Sequence, residues 1–359
     1  MIIYVMDGLN GITDIIDTFE SVIWNIQFFG VSDFELQVPV TPKNKHVLNV
    51  LEVNKYLLRD MDISADEYHN VMMIESRELH FDIDKGWILT VRGSGLKKIV
   101  GRRIIWIQTN IQGSVEYGIR QVITDNLINS SDNTRNITDF TLDTVQGYTD
   151  TFDVQLLGEN IAEWLESIGQ LYGIGWDVYI KNGKYVFTIK KGTDRTYNQN
   201  SVSPVIFSPE YDNLLSSTYT YEVTDYKNAA LIGGEGAGIN QRTATIGSYS
   251  GLDRYEAYID GGSVSSNGEI ITEATYYKML QDFGKEELAN ITAYTEKFEG
   301  EIVANGMYEL NKDYFLGDLV QIENENGISA VSRIIEIIYS EDANGINLIP
   351  TFSDWEGVN

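Results

Sequence analysis

Along most of the chain apolar and polar residues alternate, a period of two that predicts strands. The alternation is sharpest at residues 21–29, through Val22, Trp24, Ile26 and Phe28, and at residues 33–40, through Phe34, Leu36 and Val38. Residues 1–6 form an apolar, β-prone run, residues 14–17 read as a turn, and residues 49–58 read as another strand. Residues 71–83 and 87–92 pair across Asp84, Lys85 and Gly86, a hairpin signal. Residues 1–113 are therefore expected to form an antiparallel barrel or sandwich.

From Ser114 the period becomes helical. Ile119, Val122, Ile123, Leu127 and Ile128 mark a helix over 115–127, and Ile161, Trp164, Leu165, Ile168 and Leu171 mark one over 156–172, ended by Gly173 and Gly175. The polar run 129–138 reads as a loop. Residues 176–181 and 184–190 alternate around Asn182-Gly183, the dipeptide best suited to a type I′ turn. Together these predict a small α+β domain, residues 114–200.

Residues 201–209, with two of the five prolines, read as a linker. Strands are expected at 214–223, 242–246 and 254–259. A helix is expected at 269–293, with Ile270, Ala274, Tyr277, Leu280 and Leu288 on its apolar side and Gly284 interrupting it. The last stretch, 301–352, parses as strands and tight turns. Leu316, Gly317 and Asp318 turn the chain into 319–323, with Asp318 expected to accept local backbone hydrogen bonds. Asn326-Gly327 turns it back into 328–338, and Asn344-Gly345 turns it into 346–352. This meander predicts a second barrel, residues 201–359, with a helical insertion at about 268–296. The expected fold is mainly β with α+β insertions: two tube-like antiparallel β-barrel domains, a small α+β domain and a helical excursion.

Composition narrows the function. The net charge is −27, from 26 basic and 53 acidic residues. Tight non-sequence-specific nucleic-acid binding needs clustered Lys and Arg and is disfavoured, and no specific nucleic-acid binding is expected; an acidic surface repels DNA, which suits a conduit that passes DNA without holding it. With no cysteine, disulfides, thiol nucleophiles and Cys-ligated metals are excluded. Residues 1–8 carry no secretory signal and no apolar run approaches the length of a membrane span, so stable membrane insertion is not expected. Asn136-Ile137-Thr138 and Asn290-Ile291-Thr292 read as chance matches to a glycosylation pattern. His46, His69 and His80 form no HExxH motif, and no GxSxG is present. A hydrolase built on a carboxylate pair has no motif behind it. No catalytic, cofactor-binding or metal residues are expected, and the chain reads as a non-enzyme.

Two clusters stand out as candidate subunit-interface or mobile-loop residues. Gly233, Gly234, Gly236 and Gly238 lack the Lys-Ser/Thr end of a phosphate loop, and Ile239 stands where a dinucleotide fingerprint needs its last glycine. They read as a mobile loop that rearranges on assembly. Lys97, Lys98, Arg102 and Arg103, interleaved with Ile99, Val100 and Ile104, form a positive patch expected to meet an acidic neighbouring subunit. Glu256 and Asp260 read as solvated residues on one strand face.

Three stretches, in order, resemble the tail-hub proteins of long-tailed phages, the tail-associated or baseplate-hub family: WNIQFFGVSDFELQV at 24–38, DYKNAALIGGEGAG at 225–238 with RYEAYID at 254–260, and the run from Tyr314 to Phe352. The resemblance implies a virion structural protein of the tail tip. It implies a homotrimer presenting two tube-like barrels per chain, six in all, which adapts a sixfold tail tube to a threefold tip around the exit channel for tape-measure protein and DNA. Implied partners are a distal tail protein or tail tube ring, the tape-measure protein, and a tip fibre or receptor-binding protein; no cofactor is implied. Many members of that family continue into fibre, peptidase or lysozyme segments. This chain ends seven residues after Phe352, so such activities are expected on other chains. The alternative is a receptor- or carbohydrate-binding baseplate component, with Trp176, Tyr179, Tyr249 and Trp355 as candidate sugar-stacking rings.

Overall fold

The computed structural model describes residues 1–268, 270–291, 293–302, 306–326 and 329–353. The protein is mainly β with α+β insertions, as the alternation predicts. The strand Ser21–Gln27 pairs antiparallel with Asp33–Val40. That strand pairs with Gly86–Gly95, and Gly86–Gly95 pairs along its length with Met72–Asp82. Tyr56–Arg59, Ile3–Met6 and Ile12–Ile16 continue the sheet in that order.

On its other side Ser21–Gln27 pairs with Ser329–Asp342, a 14-residue strand that also carries Leu319–Glu323 and Gly345–Phe352. The first and last β regions are thus one hydrogen-bonded sheet of 12 strands. Two short strands, Asp194–Arg195 and Ile206–Phe207, add parallel to Leu319–Glu323. Among the described residues the principal pairings run as an open path from Asp194–Arg195 to Ile12–Ile16.

Period-two burial explains the sheet. Trp24, Leu36, Val38, Leu89 and Val91 are fully buried on one face, each such side chain contributing about 1.5–3 kcal/mol of transfer free energy. A buried ion pair, Arg59 Nε to Asp62 Oδ2 at 2.5 Å, ties the seam. Its guanidinium lies 5.3 Å from the Trp24 ring and 5.4 Å from that of Tyr339 on the shared strand.

The α+β region holds a five-stranded sheet: Phe140–Leu142, Lys184–Lys190, Gly175–Lys181, then Glu67–Tyr68 and Ile63–Ser64 from the N-terminal part. Asn182 and Gly183 take φ of 50° and 70°, the left-handed pair a type I′ turn requires. Helix Ile161–Tyr172 is capped by the Asn160 side chain and ends at Gly173, φ 64°. Helix Val115–Ile123, capped by Ser114, runs into a π-helical turn, Thr124–Ile128. A three-stranded sheet, Thr243–Ile246, Ala229–Gly233 and Glu256–Asp260, packs against helix Glu273–Ile291 through Ile232, Ile259, Tyr276 and Leu280. The strand Leu214–Asp225 pairs with Ala293–Ile302.

Several local expectations are corrected. Residues 14–17 do not form a turn; Ile12–Ile16 is an edge strand on Ile3–Met6. Residues 49–58 split into a helical turn, Val47–Val50, and the strand Tyr56–Arg59. The second helix starts at Ile161, not 156, because Phe152, Val154 and Leu156, at every second position, bury one face of a strand, Thr151–Leu156, paired with Thr109–Ser114. Gly284 does not interrupt the third helix: a Cβ there would fall 2.4 Å from Ile232 Cγ1, so the glycine permits close packing. The turn residue Gly327, Ile328, Glu269 at the start of the expected helix, and Trp355 lie outside the described residues. No helix among the described residues is long and apolar enough to cross a membrane.

Candidate assembly surfaces

The parts of the chain meet at Phe28, the last of the alternating residues Val22, Trp24, Ile26 and Phe28 in the run 21–29. Its N–H donates to Ile335 O at 2.7 Å, and its ring is fully buried. Gly175 and Gly317 approach so closely that a Cβ on either would lie 2.3 or 2.2 Å from the ring. Lys190 and Arg333 place their cations 5.8 and 5.9 Å from its centre. Beside it Asp318 is more than a local turn residue. It accepts from Phe315 N at 3.0 Å, as the turn predicts, but also from Thr193 N at 2.7 Å and Arg195 Nε at 2.6 Å.

Lys97 belongs to the same junction. It is 3% exposed, and its Nζ donates to Gln27 O, Phe28 O and Gly30 O at 2.7, 3.0 and 2.9 Å. The ammonium also lies 5.0 Å from the Trp176 ring. Burial pulls its pKa down to about 7. The structure therefore directs Lys97 inward, where it ties the end of Ser21–Gln27 to the α+β region. Lys98 and Arg102 are exposed, Arg102 resting a guanidinium nitrogen 2.9 Å from Met73 Sδ. Arg103 donates to Arg135 O at 3.1 Å. Of the four cations, Lys97 is buried, Arg103 is partly buried, and Lys98 and Arg102 are at the surface.

The glycine cluster is tied in place. Gly233 ends a strand, and a Cβ there would lie 2.2 Å from Tyr258 Oη; at Gly234 it would lie 2.3 Å from Tyr276 Oη. Glu235 accepts from Ser265 Oγ, Ser266 N and Ser266 Oγ at 2.9, 2.8 and 2.7 Å, and its own N–H donates to Tyr276 Oη at 2.7 Å. Glycine at 233 and 234 thus serves close approach. Gly236 (φ 97°) and Gly238 (φ 59°) form the bend that follows.

The surface that sequence reading missed is the long hairpin Met72–Asp82 and Gly86–Gly95. Leu89 and Val91 lie in the core, and Leu79 and Phe81 sit opposite Leu89 and Trp87. The core-facing stripe therefore runs on past the core: Leu79 is 45% exposed, Phe81 54%, Ile83 88% and Trp87 49%. The Phe81 and Trp87 rings pack together 5.2 Å apart. The outer edge of Met72–Asp82 pairs with Tyr56–Arg59 only at Met72 and Met73, leaving it without a strand partner beyond Ile74 among the described residues. The opposite face is charged, with Arg92 bridging Glu35 at 2.6 Å and Glu78 at 3.4 Å. The signal was present in sequence, since Leu79, Phe81 and Ile83 keep alternating past the length of the neighbouring strands.

Of the candidate sugar-stacking rings, Trp176 and Tyr179 are buried and Tyr249 is exposed. His69 stacks on Tyr179 at 4.8 Å, and His46 and His80 are exposed. No group of three or more acidic or histidine side chains that could hold a metal occurs among the described residues.

This fold is shared with phage and prophage tail proteins. The tail protein from Neisseria meningitidis MC58 superposes with a TM-score of 0.59 at 13% identity, covering 99% of this chain and 97% of that one. The 43 kDa tail protein of prophage MuSo2 from Shewanella oneidensis gives 0.57 at 15% identity, with 99% and 98% covered. Prophage tail protein gp18 from Listeria monocytogenes EGD-e gives 0.51 at 12%, with 99% and 95% covered. Identities this low speak to the fold alone. No curated protein sequence matches. The chain belongs to the siphovirus ReqiPepy6 Gp37-like protein family, whose profile matches residues 2–353.

Proposed function

We propose that this siphoviral protein is a structural component of the tail tip, a trimeric hub that joins the tail tube to the tip around the channel for tape-measure protein and DNA. In this reading residues 1–113 and 201–359 supply two barrel units per chain, residues 114–200 form the α+β domain between them, and the shared strand Ser329–Asp342 holds the two units in fixed relation. The protein works in the virion, against a distal tail protein or tube ring on one side and tip components on the other, and it catalyses nothing. Lys98 and Arg102 remain outward-facing cations for an acidic neighbour.

The carrying observation is the hairpin stripe of Leu79, Phe81, Ile83 and Trp87. A stripe continuous with the core, beside an open strand edge, is a liability in a monomer and an interface in an oligomer. The shared fold over nearly the whole length of phage tail proteins supports the same reading. Light scattering tests it. The expected mass is three times the chain's 40.5 kDa, with a ring-shaped, pseudo-sixfold projection by negative stain. Phe81→Glu with Trp87→Glu, which sets like charges directly across the hairpin, should return the protein to a monomer that keeps the far-UV circular dichroism of the wild type. A wild type that stays monomeric at high concentration and binds no distal tail ring refutes the proposal.

A further inference from the structure

A second surface, on the α+β region, has the chemistry of a binding site. The strand Thr109–Ser114 and the residues before it face the π-helical turn Thr124–Ile128 across a cleft of about 480 Å³. Its lining is rich in planar polar groups: Gln108, Asn110, Gln121, Asp125, Asn129 and Arg135. A volume of this order suits a small ligand. The π-turn is closed by Asn129 N donating to Thr124 O at 2.7 Å. Such turns are rare and recur at functional sites; here the widened turn leaves Asp125 and Asn129 exposed along the cleft.

The floor is fixed in advance. Asn126 is buried, its Nδ2 donates to Val122 O at 2.9 Å, and its Oδ1 accepts from Arg135 Nη2 at 3.1 Å. Arg135 also donates to Ile104 O at 2.6 Å and lies 5.2 Å from the Trp106 ring centre. Gln108 Nε2 donates to Asn267 Oδ1 at 2.8 Å, and Asn110 Oδ1 accepts from Gln155 Nε2 at 2.9 Å. The amides are thus oriented before any ligand arrives, which lowers the entropy lost on binding. Trp106, stacked beside Arg135, stays 62% exposed.

Across Gln121 and Asp125 the cleft adjoins a second hollow of about 520 Å³, with Tyr117 and Tyr148 in its lining. Tyr117 is 63% exposed. Two hollows sharing a polar ridge, each with an exposed aromatic ring nearby, make an elongated track.

We infer that this track binds a neutral glycan chain. Amide, carboxylate and guanidinium groups each pair with two neighbouring hydroxyls, which both donate and accept. An exposed indole or phenol offers an apolar platform to the C–H face of a sugar ring. Asp125 and Arg135 oppose each other in sign, and the chain as a whole carries −27, so a polyanion is disfavoured. The polar lining disfavours a wholly apolar ligand.

The test uses the full chain on an array of neutral oligosaccharides, including glucose and N-acetylglucosamine oligomers of about three to six units, a length matched to a multi-subsite track. Retained oligosaccharides are then titrated by calorimetry. Trp106→Ala, Asn129→Ala and the exposed isosteric change Asp125→Asn should each weaken binding about tenfold, the effect of losing one contact worth roughly 1.4 kcal/mol. Leu252→Ala, at an exposed residue outside both hollows, should leave it unchanged. Wild-type protein that retains no neutral oligosaccharide, retains only acidic polymers or peptides, or binds equally well in all three variants overturns the inference. Particle mass is read separately, so this failure stays distinct from failure of the hub proposal.

Discussion

Replacing Gly175 by Ala should drive a methyl group into the ring of Phe28. The new Cβ would stand 2.3 Å from Phe28 Cε2, far inside any normal carbon–carbon contact. The ring is fully buried, and Gly317 already closes to a similar distance, so it has little room to retreat. Inserting one methyl into a packed core costs about 1–3 kcal/mol. Removing a glycine from a paired strand returns roughly 0.5–1 kcal/mol, and Gly175 is such a residue, opposite Lys190. The net loss should be about 1–2 kcal/mol. Phe28→Ala alone should cost about 3–5 kcal/mol as a cavity mutation. In the double variant the new methyl faces emptied space, so Gly175→Ala should become neutral or favourable. Urea unfolding of all four proteins measures the coupling, expected at about 1–2 kcal/mol with the sign of mutual relief. If the two losses simply add to within about 0.5 kcal/mol, the contact does not govern packing at this junction and the reasoning fails.

Two further outcomes follow from buried charges. Glu286, on helix Glu273–Ile291, has its pKa raised to about 7 by burial, with Glu287 and Glu159 adding to the effect. An acid with a raised pKa favours the folded state at low pH, and that contribution fades as pH climbs from the ordinary carboxyl range through about 7. Glu286→Gln should therefore stabilise the protein relative to wild type by about 1–3 kcal/mol at pH 8 and change little at pH 5; equal urea midpoints at pH 8 would contradict it. Lys97→Met should destabilise by about 2–4 kcal/mol, because the carbonyls of Gln27, Phe28 and Gly30 lose their donor inside the protein. Lys98→Met, exposed next door, should stay within about 0.5 kcal/mol of wild type when both lysine variants are compared by urea unfolding.

What sequence made legible was whatever short-range pattern decides. Val22 and Trp24, like Phe34, Leu36 and Val38, announce strands because each buries alternate residues of a sheet. Asn182-Gly183 announces its hairpin because few other residues adopt both left-handed positions. Ile12–Ile16 was obscured because only Ile16 is buried, so an edge strand with Asp14 at its centre looks like a turn. The start of the second helix was recoverable: Asn160 followed by Glu163 is a capping signal that outweighs the apolar run before it. The fate of Lys97 was not, since its three acceptors lie on a strand end about 70 positions earlier. Nor was the role of Gly233 and Gly234, which depends on tyrosines brought in from residues 258 and 276. The parallel pairing of Ala229–Gly233 with Glu256–Asp260 is likewise a long-range fact.

The strand shared between the two ends of the chain has a consequence for how the protein is made. Gln27 and Glu336, whose side chains hydrogen-bond, are 309 positions apart. During synthesis the Ser21–Gln27 strand emerges long before its partner Ser329–Asp342. For that interval one edge of the first sheet stays bare, and pairings of such high contact order form slowly. A nascent chain in this condition is open to pairing with its neighbours on the same message. Completion of the first sheet thus waits for Ser329–Asp342, so that products truncated before that strand lack a finished sheet edge and are left to chaperones and proteases.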